Sequence, residues 1–295
     1  MISKAEFIQE YYTPKGHVPR VIFIIERKNN RMNDITVNKT KWDEIQNLYT
    51  DYFDELGYKN DGFHNSMMFE GEPYLIICND EESGFFSVGN SWDNGNMLRG
   101  FYVIPSKRRA SIEIFNKVMD DFQIEAALVA SNDSHYVGLA FEKMNALKTF
   151  FDMQAFNFIY GEPEREAEYG MDCVKEVSPS EYELMNTLTE KQWEGCFENG
   201  NFKFYKITNN NETLGYGGIG KMINNQKNVD VGNFTLPQHR RKGVGRSIMI
   251  NLSKIAIQQG LIPIAGCWHG NAESIATLIS SGFIPENRIF YVRFC

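Results

Sequence analysis

The feature that most constrains this chain is a local order of residue types that occurs twice. In Phe101-Tyr-Val-Ile-Pro-Ser-Lys-Arg-Arg109 and again in Phe234-Thr-Leu-Pro-Gln-His-Arg-Arg241, an apolar run leads into a proline and an arginine pair, and a helical pattern follows. A segment ending in phenylalanine closes each stretch, Phe151 to Phe156 in the first half and Leu278 to Phe283 in the second. Such self-similarity predicts two related units in tandem. At 295 residues the chain has room for both to bury a core. The charged stretch Gly161 to Glu168 holds Pro163 and no apolar periodicity, so it predicts a linker between units of residues 1–165 and 166–295.

The second half is the more legible one. Cys173 to Val177 reads as a short strand, and Ser178 with Pro179 supplies a helix start. Phe202 to Ile207, Leu214 to Met222 and Val229 to Leu236 are rich in aromatic and β-branched residues, with turn-forming asparagines at 208–211 and 224–227 between them. They predict an antiparallel meander. Val244 to Gln259 carries Ile248, Leu252, Ile255 and Ala256 at helical spacing and stops at Gly260, and Leu261 to Cys267 follows as a strand. Strand, crossover helix and strand make a partly parallel unit. The expected fold class is therefore α/β, each unit a mixed, mostly antiparallel sheet flanked by helices. Residues 1–30 yield only a short helix near Lys4 to Tyr11 and a strand near Val21 to Glu26.

Composition excludes several partners. A formal charge of -8 argues against nucleic acid, whose binding draws on phosphate neutralisation by Lys and Arg. The five cysteines show no CxxC spacing, so neither a zinc site nor a disulfide framework is expected; no metal is called for. The best apolar run near the start, Val21 to Ile25, is too short for a signal peptide or a membrane span. These features predict a cytoplasmic protein with reduced thiols and no membrane partner.

The most informative stretch is Arg240-x-x-Gly243-x-Gly245, set between a strand and a long helix. A turn there exposes consecutive backbone N–H groups at a helix N-terminus, where unpaired donors and the helix dipole favour a diphosphate. Glycine at 243 and 245 permits positive φ and removes side chains that would block the phosphates. Arg240, Arg241, Lys242 and Arg246 add positive charge, with Val244 between them. The plainer alternative is a glycine-containing turn on a basic surface patch.

These residues resemble the GNAT superfamily of acyl-CoA-dependent N-acyltransferases, whose signature is Gln or Arg, two residues, Gly, one residue, Gly or Ala after the fourth strand. Arg240, Gly243 and Gly245 match it in full. A second element follows at the expected distance: a strand from Pro263 to Cys267, then Asn271 and Ser274, then Gly282 and Phe283. The stretch from Cys267 and Trp268 through Asn271 and Ser274 is most similar to the branch containing zwittermicin A resistance proteins. The resemblance implies acetyl-CoA as cosubstrate. It implies a diphosphate held by residues 240–246 and a pantetheine arm bound by the backbone of Asn233, Phe234, Thr235 and Leu236, with Asn271 and Ser274 nearby. The acceptor it implies is a primary amine of a small molecule, an antibiotic or another metabolite.

Attack of an amine on a thioester needs proximity, a proton acceptor and donors for the oxyanion. Asp230 stands on the fourth strand, where many relatives carry an acidic base, and is the candidate acceptor. Many relatives also place a tyrosine four residues before the closing glycine as general acid. This chain has Leu278 there, so no acid is carried over. Cys267 and His269 read as packing or pocket-lining residues. Trp193, Phe197, Tyr216 and Trp268 read as core.

In the first half, Ser111 and Glu113 stand where Gly243 and Gly245 stand in the second. A carboxylate facing a diphosphate would repel it, so this unit is expected to shape the acceptor pocket without binding CoA. His64, His135 and the acidic run Asp80 to Glu82 read as solvated loop positions. Two other functions stay open: a non-catalytic acyl-CoA sensor, and a protein or peptide N-acetyltransferase. A second copy of the chain is a candidate partner.

Overall fold

Alternating apolar residues build the strands, and amphipathic stretches at helical spacing build the helices that cover them. The computed structural model describes residues 33–57, 59–93, 95–143, 150–163, 165–196, 200–222 and 225–294. The helix and strand expected before residue 30, together with Phe197 and Cys295, lie outside the described residues.

In chain order the first half contains β1 (Ile35–Lys39), α1 (Gln46–Leu56), α2 (Gly62–Phe69), β2 (Glu72–Cys78), β3 (Glu81–Asn90), β4 (Asn96–Val103), α3 (Ser111–Asp121), β5 (Ile124–Ala130), α4 (Ser134–Lys143) and β6 (Phe150–Tyr160). The second half contains β7 (Val174–Glu176), α5 (Tyr182–Leu188), β8 (Phe202–Asn209), β9 (Glu212–Met222), β10 (Asn225–Thr235), α6 (Val244–Gln258), β11 (Ile262–Trp268), α7 (Ala272–Ser280) and β12 (Phe283–Arg293). The elements expected from Val174 to Trp268 are present with small shifts of boundary. The turn expected at 224–227 is the main departure: β10 already starts at Asn225 and carries a bulge before Val229.

The two halves join in one sheet of order β1-β2-β3-β4-β5-β12-β6-β11-β10-β9-β8-β7. Each half has four antiparallel strands followed by a parallel pair, β4 with β5 and β10 with β11. The last strands are exchanged. β12 from the second half lies antiparallel against β5, and β6 from the first half lies antiparallel against β11. Those two strands then pair along almost their whole length, from Phe283 opposite Tyr160 to Arg293 opposite Phe150. The phenylalanine expected to close the first unit, Phe156, is accordingly in the middle of β6, whereas its counterpart Phe283 starts β12. Residues 150–160 form one long strand where only a short closing segment, Phe151 to Phe156, was expected.

One face of the second half's sheet is covered by α6, whose Val244, Ile248, Met249 and Leu252 pack on Val229, Val231 and Ala265. The opposite face carries a cluster of Met185, Trp193, Phe204 and Tyr216. In the first half, α3 and α4 pack Ile114, Phe115, Val118 and Tyr136 on Phe101, Val103 and Val129. There α1 packs Tyr52 and Phe53 with Met68, Phe85 and Tyr102. The helix α2 reaches across: Met67 and Met68 join first-half strands, and its N-terminus lies over β10 and β11.

Candidate active site

The site begins where two parallel strands part. The register of β10 with β11 runs Asn228 to Ile262, Val229 to Pro263 and Asp230 to Ile264, and ends there. Beyond it, β10 stays paired to β9 on its other edge through Thr235. On that paired side the carbonyls of Gly232 and Phe234 lie against Gly217 and Gly215. Strand alternation therefore turns the backbone groups of Asn233 and Thr235 into the gap. Two marginal hydrogen bonds touch those carbonyls, Gln192 Nε2 to Asn233 at 3.5 Å and Arg240 Nε to Thr235 at 3.4 Å.

Alternation also sorts the side chains of β10 onto two faces. Asn233 and Thr235 face α6: a Cβ added at Gly245 would lie 3.0 Å from Asn233 Nδ2, 3.1 Å from Thr235 Oγ1 and 3.2 Å from Thr277 Cγ2. Glycine at 245 lets the start of α6 approach the Asn233, Thr235 and Thr277 side chains this closely. Asp230, Gly232 and Phe234 face the other way, towards Trp193, whose ring would lie 3.8 Å from a Cβ on Gly232. The gap thus connects the α6 side of the sheet to the opposite side at Asp230.

At the mouth on the α6 side, Leu236 and Pro237 lead into a 3-10 turn, and the chain enters α6 through Arg241 at φ 62° and Gly243 at φ 77°. Both lie in the left-handed region, where Arg241 bears strain and Gly243 does not. Among the described residues, no hydrogen bond takes up the N–H groups of Gly243, Gly245 or Arg246. Donors left open at the start of a 15-residue helix are available to an anion. Arg240 and Arg241 are exposed there, Lys242 Nζ reaches back to the Gln238 carbonyl at 3.1 Å, and Val244 is buried as part of the core. Arg246 lies 3.9 Å from Glu168, an exposed carboxylate whose Cβ would also meet a Cβ on Gly243 at 3.1 Å.

Asn271 and Ser274 stand at the far wall. Asn271 caps α7, its Oδ1 accepting from the Ser274 N–H at 3.0 Å, which leaves only its amide NH2 for a ligand. The Ser274 hydroxyl opposes the upward shift that burial imposes on the Cys267 thiol. His269 packs against the exposed Trp268, contrary to the expectation that this tryptophan is core. Trp193 and Tyr216 are core as expected, and Leu278 is buried under α7 where relatives place an acid.

The residue that sequence reading missed is Asp61. It is the N-cap of α2, its Oδ1 accepting from the His64 N–H at 3.0 Å, and it is buried. The following residue, Gly62, donates its N–H to Asp230 Oδ2 at 3.1 Å. Any Cβ on Gly62 would lie 2.6 Å from that oxygen, and any Cβ on Gly266 would lie 1.5 Å from Asp61 Oδ2. Two glycines from different halves thus let two carboxylates meet where β10 and β11 part. Asn157 of β6, its amide oriented by its partners, donates to both Asp61 oxygens at 3.2 Å.

Burial first, and then the neighbouring Asp230 carboxylate, push Asp61 up to about 7. Burial pushes Asp230 up to about 6, against the Gly62 N–H, which favours its charged form. Part of Asp230 remains open to solvent. Burial pulls His64 down to about 4, which keeps it neutral at pH 7. The expectation of a solvated His64 is therefore wrong, because α2 is packed between the two halves. His135 is also half-buried, with Nε2 2.9 Å from Ser111 Oγ. The acidic run 80–82 is exposed as expected, at the β2–β3 turn.

In the first half the corresponding gap is filled. Four residues before the proline, Phe101 replaces the Asn233 of the second half and packs on Phe115 and Tyr136. Three residues after the helix cap, Tyr136 replaces Ser274 and donates its hydroxyl to the Leu98 carbonyl at 3.1 Å. Ser111 is buried and Glu113 exposed in the first turn of α3.

Comparison with known proteins agrees with this geometry. Residues 41–160 match the model of an acetyltransferase (GNAT) domain, and residues 165–283 that of the acetyltransferase (GNAT) family. No curated protein matches the chain. Among solved structures, a GNAT-family acetyltransferase from Colwellia psychrerythraea is similar over 89% of this chain and 100% of its own, with TM-score 0.75 and 17% identity. A tandem GNAT protein from the clavulanic acid biosynthesis pathway covers 88% of this chain and 98% of its own, with TM-score 0.56 and 12% identity. A protein from Pyrococcus horikoshii described as an acetyltransferase covers 92% and 93%, with TM-score 0.52 and 15% identity. At these identities the likeness is one of fold. Two matched units, the parted parallel strands and the open turn ahead of α6 together make this chain a tandem member of the GNAT acetyltransferase family.

Proposed function

We propose that the chain is an acetyl-CoA-dependent N-acetyltransferase whose acceptor is a primary amine of a small molecule, an antibiotic or another metabolite, acting in the cytoplasm. The observation that carries this reading is the parting of β10 from β11, with unpaired turn amides at one end and a carboxylate at the other.

Each part of the cosubstrate has a matching part of the chain. The N–H groups of residues 243–246, with Arg240 and Arg241, hold the diphosphate. The Asn233 and Thr235 backbone groups hold the amides of the pantetheine arm, much as a third strand would, and Phe234 and Leu236 fix that strand from its other face. Asn271 and Ser274 line the opposite side. The thioester then lies near Asp230, which takes the proton that the acceptor's ammonium gives up before attack. Positioning is the larger contribution, since holding two reactants in line is worth roughly 7 to 11 kcal/mol. With Leu278 at the position of the family's acid, the departing thiolate is protonated by solvent or by the surplus proton that the attacking nitrogen gives up as the amide forms. A thiol of pKa about 8.5 leaves without help.

Calorimetry with CoA and a thiol-release assay with acetyl-CoA and a panel of primary amines test the proposal together. Binding in the micromolar range with turnover of at least one amine is expected. Binding without turnover of any amine would favour the sensor reading, and absence of binding would remove both.

A further inference from the structure

The Asp61 and Asp230 carboxylates come from different halves of the chain, yet they lie together at the inner end of the gap, and Gly62 and Gly266 are shaped to let them. No Lys or Arg is ion-paired with either one among the described residues. The groups that face them are the Asn157 amide from β6, the backbone N–H groups of Gly62 and His64, and two thiols. Both thiols, Cys267 of β11 and Cys196 near Trp193, are raised by burial first, and then by Asp61 and Asp230 respectively. Next in the chain to Asp61, the buried Asn60 has an Oδ1 without a hydrogen-bond partner, while its Nδ2 approaches His64 Nδ1 at 3.4 Å. Two neighbouring carboxylates, Asp61 buried and Asp230 partly so, with a spare acceptor and no cation are costly to ionise together unless a positive group arrives from outside.

Resting on the function proposed above, we propose that Asp61 and Asp230 form one carboxylate pair that receives the acceptor as its ammonium ion and takes its proton, so that the acceptor is an amine cationic at neutral pH. The ammonium displaces the proton the pair shares and is held between the two carboxylates. One N–H proton passes to the pair, and the freed lone pair on nitrogen attacks the thioester carbon. The C–N bond forms, the C–S bond breaks with its electrons on sulfur, and the second nitrogen proton leaves to the thiolate. The pair thereby regains the shared proton it began with, and the one displaced on binding has gone to solvent. The Asp230 charge adds to the effect of burial in raising the proton affinity of Asp61 by like-charge repulsion, which sharing a proton relieves. An amine already neutral at pH 7 gains nothing from such a site.

The test uses the full chain and the variants Asp61→Asn and Asp230→Asn. An asparagine at the first of these positions still offers an N-cap acceptor, so the start of α2 is preserved. Infrared titration of the protonated-carboxyl band reads the pair directly, without an acceptor. The wild type is expected to show a carboxyl proton persisting above pH 6 that is lost in Asp61→Asn, while in Asp230→Asn the Asp61 band, still raised by burial, titrates at lower pH than in wild type. Asp133, itself raised to about 6, contributes equally to all three and cancels in the difference. An identical band in wild type and Asp61→Asn overturns the pair. CoA affinity by calorimetry is expected to be unchanged in both variants.

With acetyl-CoA, an aliphatic diamine and an arylamine of low basicity serve as probes. Asp61→Asn is expected to lower kcat/KM for the diamine by roughly tenfold or more, to shift the acidic limb of its pH profile down by about one unit, and to lower kcat/KM for the arylamine by a clearly smaller factor. Equal losses for both amines, or none, overturn the proposal. If wild type turns over neither probe although CoA binds, the acetyltransferase reading falls, and the infrared result still decides the pair.

Discussion

Gly243 and Gly245 are required for different reasons. Gly243 adopts φ 77°, so any side chain there strains the turn as well as meeting Glu168, and a loss of binding in Gly243→Glu would mix two causes. Gly245 is helical, and alanine there raises intrinsic helix propensity by about 1 kcal/mol. Its methyl would fill the gap between Asn233 and Thr277. Gly245→Ala is therefore expected to weaken CoA binding at least about tenfold by calorimetry. A destabilised protein that still binds CoA with wild-type affinity would contradict the gap as the binding channel. Asp61 is a second residue whose chemistry sets a measurable sign. Its carboxyl is near 3.8 when unfolded and about 7 in the fold, so the native state holds the proton more tightly. Its contribution to stability is full below pH 4 and is lost as pH rises through 7. Relative to wild type, Asp61→Asn is expected to gain a few kcal/mol in urea unfolding between pH 4.5 and pH 8, an order-of-magnitude figure set by the size of that shift. An equal difference at both pH values would count against the raised carboxyl.

At the scale of elements, the two halves differ in what fills the space between their parallel strands. Side-chain volume decides it: Phe101 and Tyr136 occupy the first gap, whereas Asn233 and Ser274 leave the second open. Tyr136→Phe keeps the ring and removes the hydroxyl that caps the Leu98 carbonyl. A buried acceptor left unpaired costs about 1 to 3 kcal/mol, so a lower urea midpoint is expected, with CoA binding unchanged. A change in CoA affinity would mean that the first gap communicates with the second. The helix α2 shows how an element acquires a role that its own residues do not announce. Asn60, Asp61 and Gly62 read as an ordinary cap and turn, and Met67 and Met68 as one apolar face. Only the placement of that face on first-half strands brings its other end over β10 and β11.

Over the whole molecule, exchange of β6 and β12 makes the halves interdependent. A piece comprising residues 166–295 would keep the CoA turn but leave one edge of β11 unpaired, and β12 without either of its neighbours β5 and β6. Exposed edges of that length associate. The isolated piece is therefore expected to be aggregated or to exchange strands between two copies, as size-exclusion chromatography with light scattering would reveal; a stable monomer would refute the interdependence. Much of the architecture was legible beforehand, because periodicity and turn chemistry are local properties. The repeated Pro-to-Arg-Arg order, the meander from Phe202 to Thr235 and the glycines ahead of α6 specify their own elements from within a few residues. Local pattern is silent about which strand neighbours which, since β6 and β12 present similar alternating edges to either half. The sequence by itself therefore determined two GNAT units and the open turn with its glycines. Tertiary structure alone decided the exchange of final strands, the burial of His64 and the meeting of Asp61 with Asp230, because contacts between residues so far apart in the chain arise from packing, which no local pattern encodes.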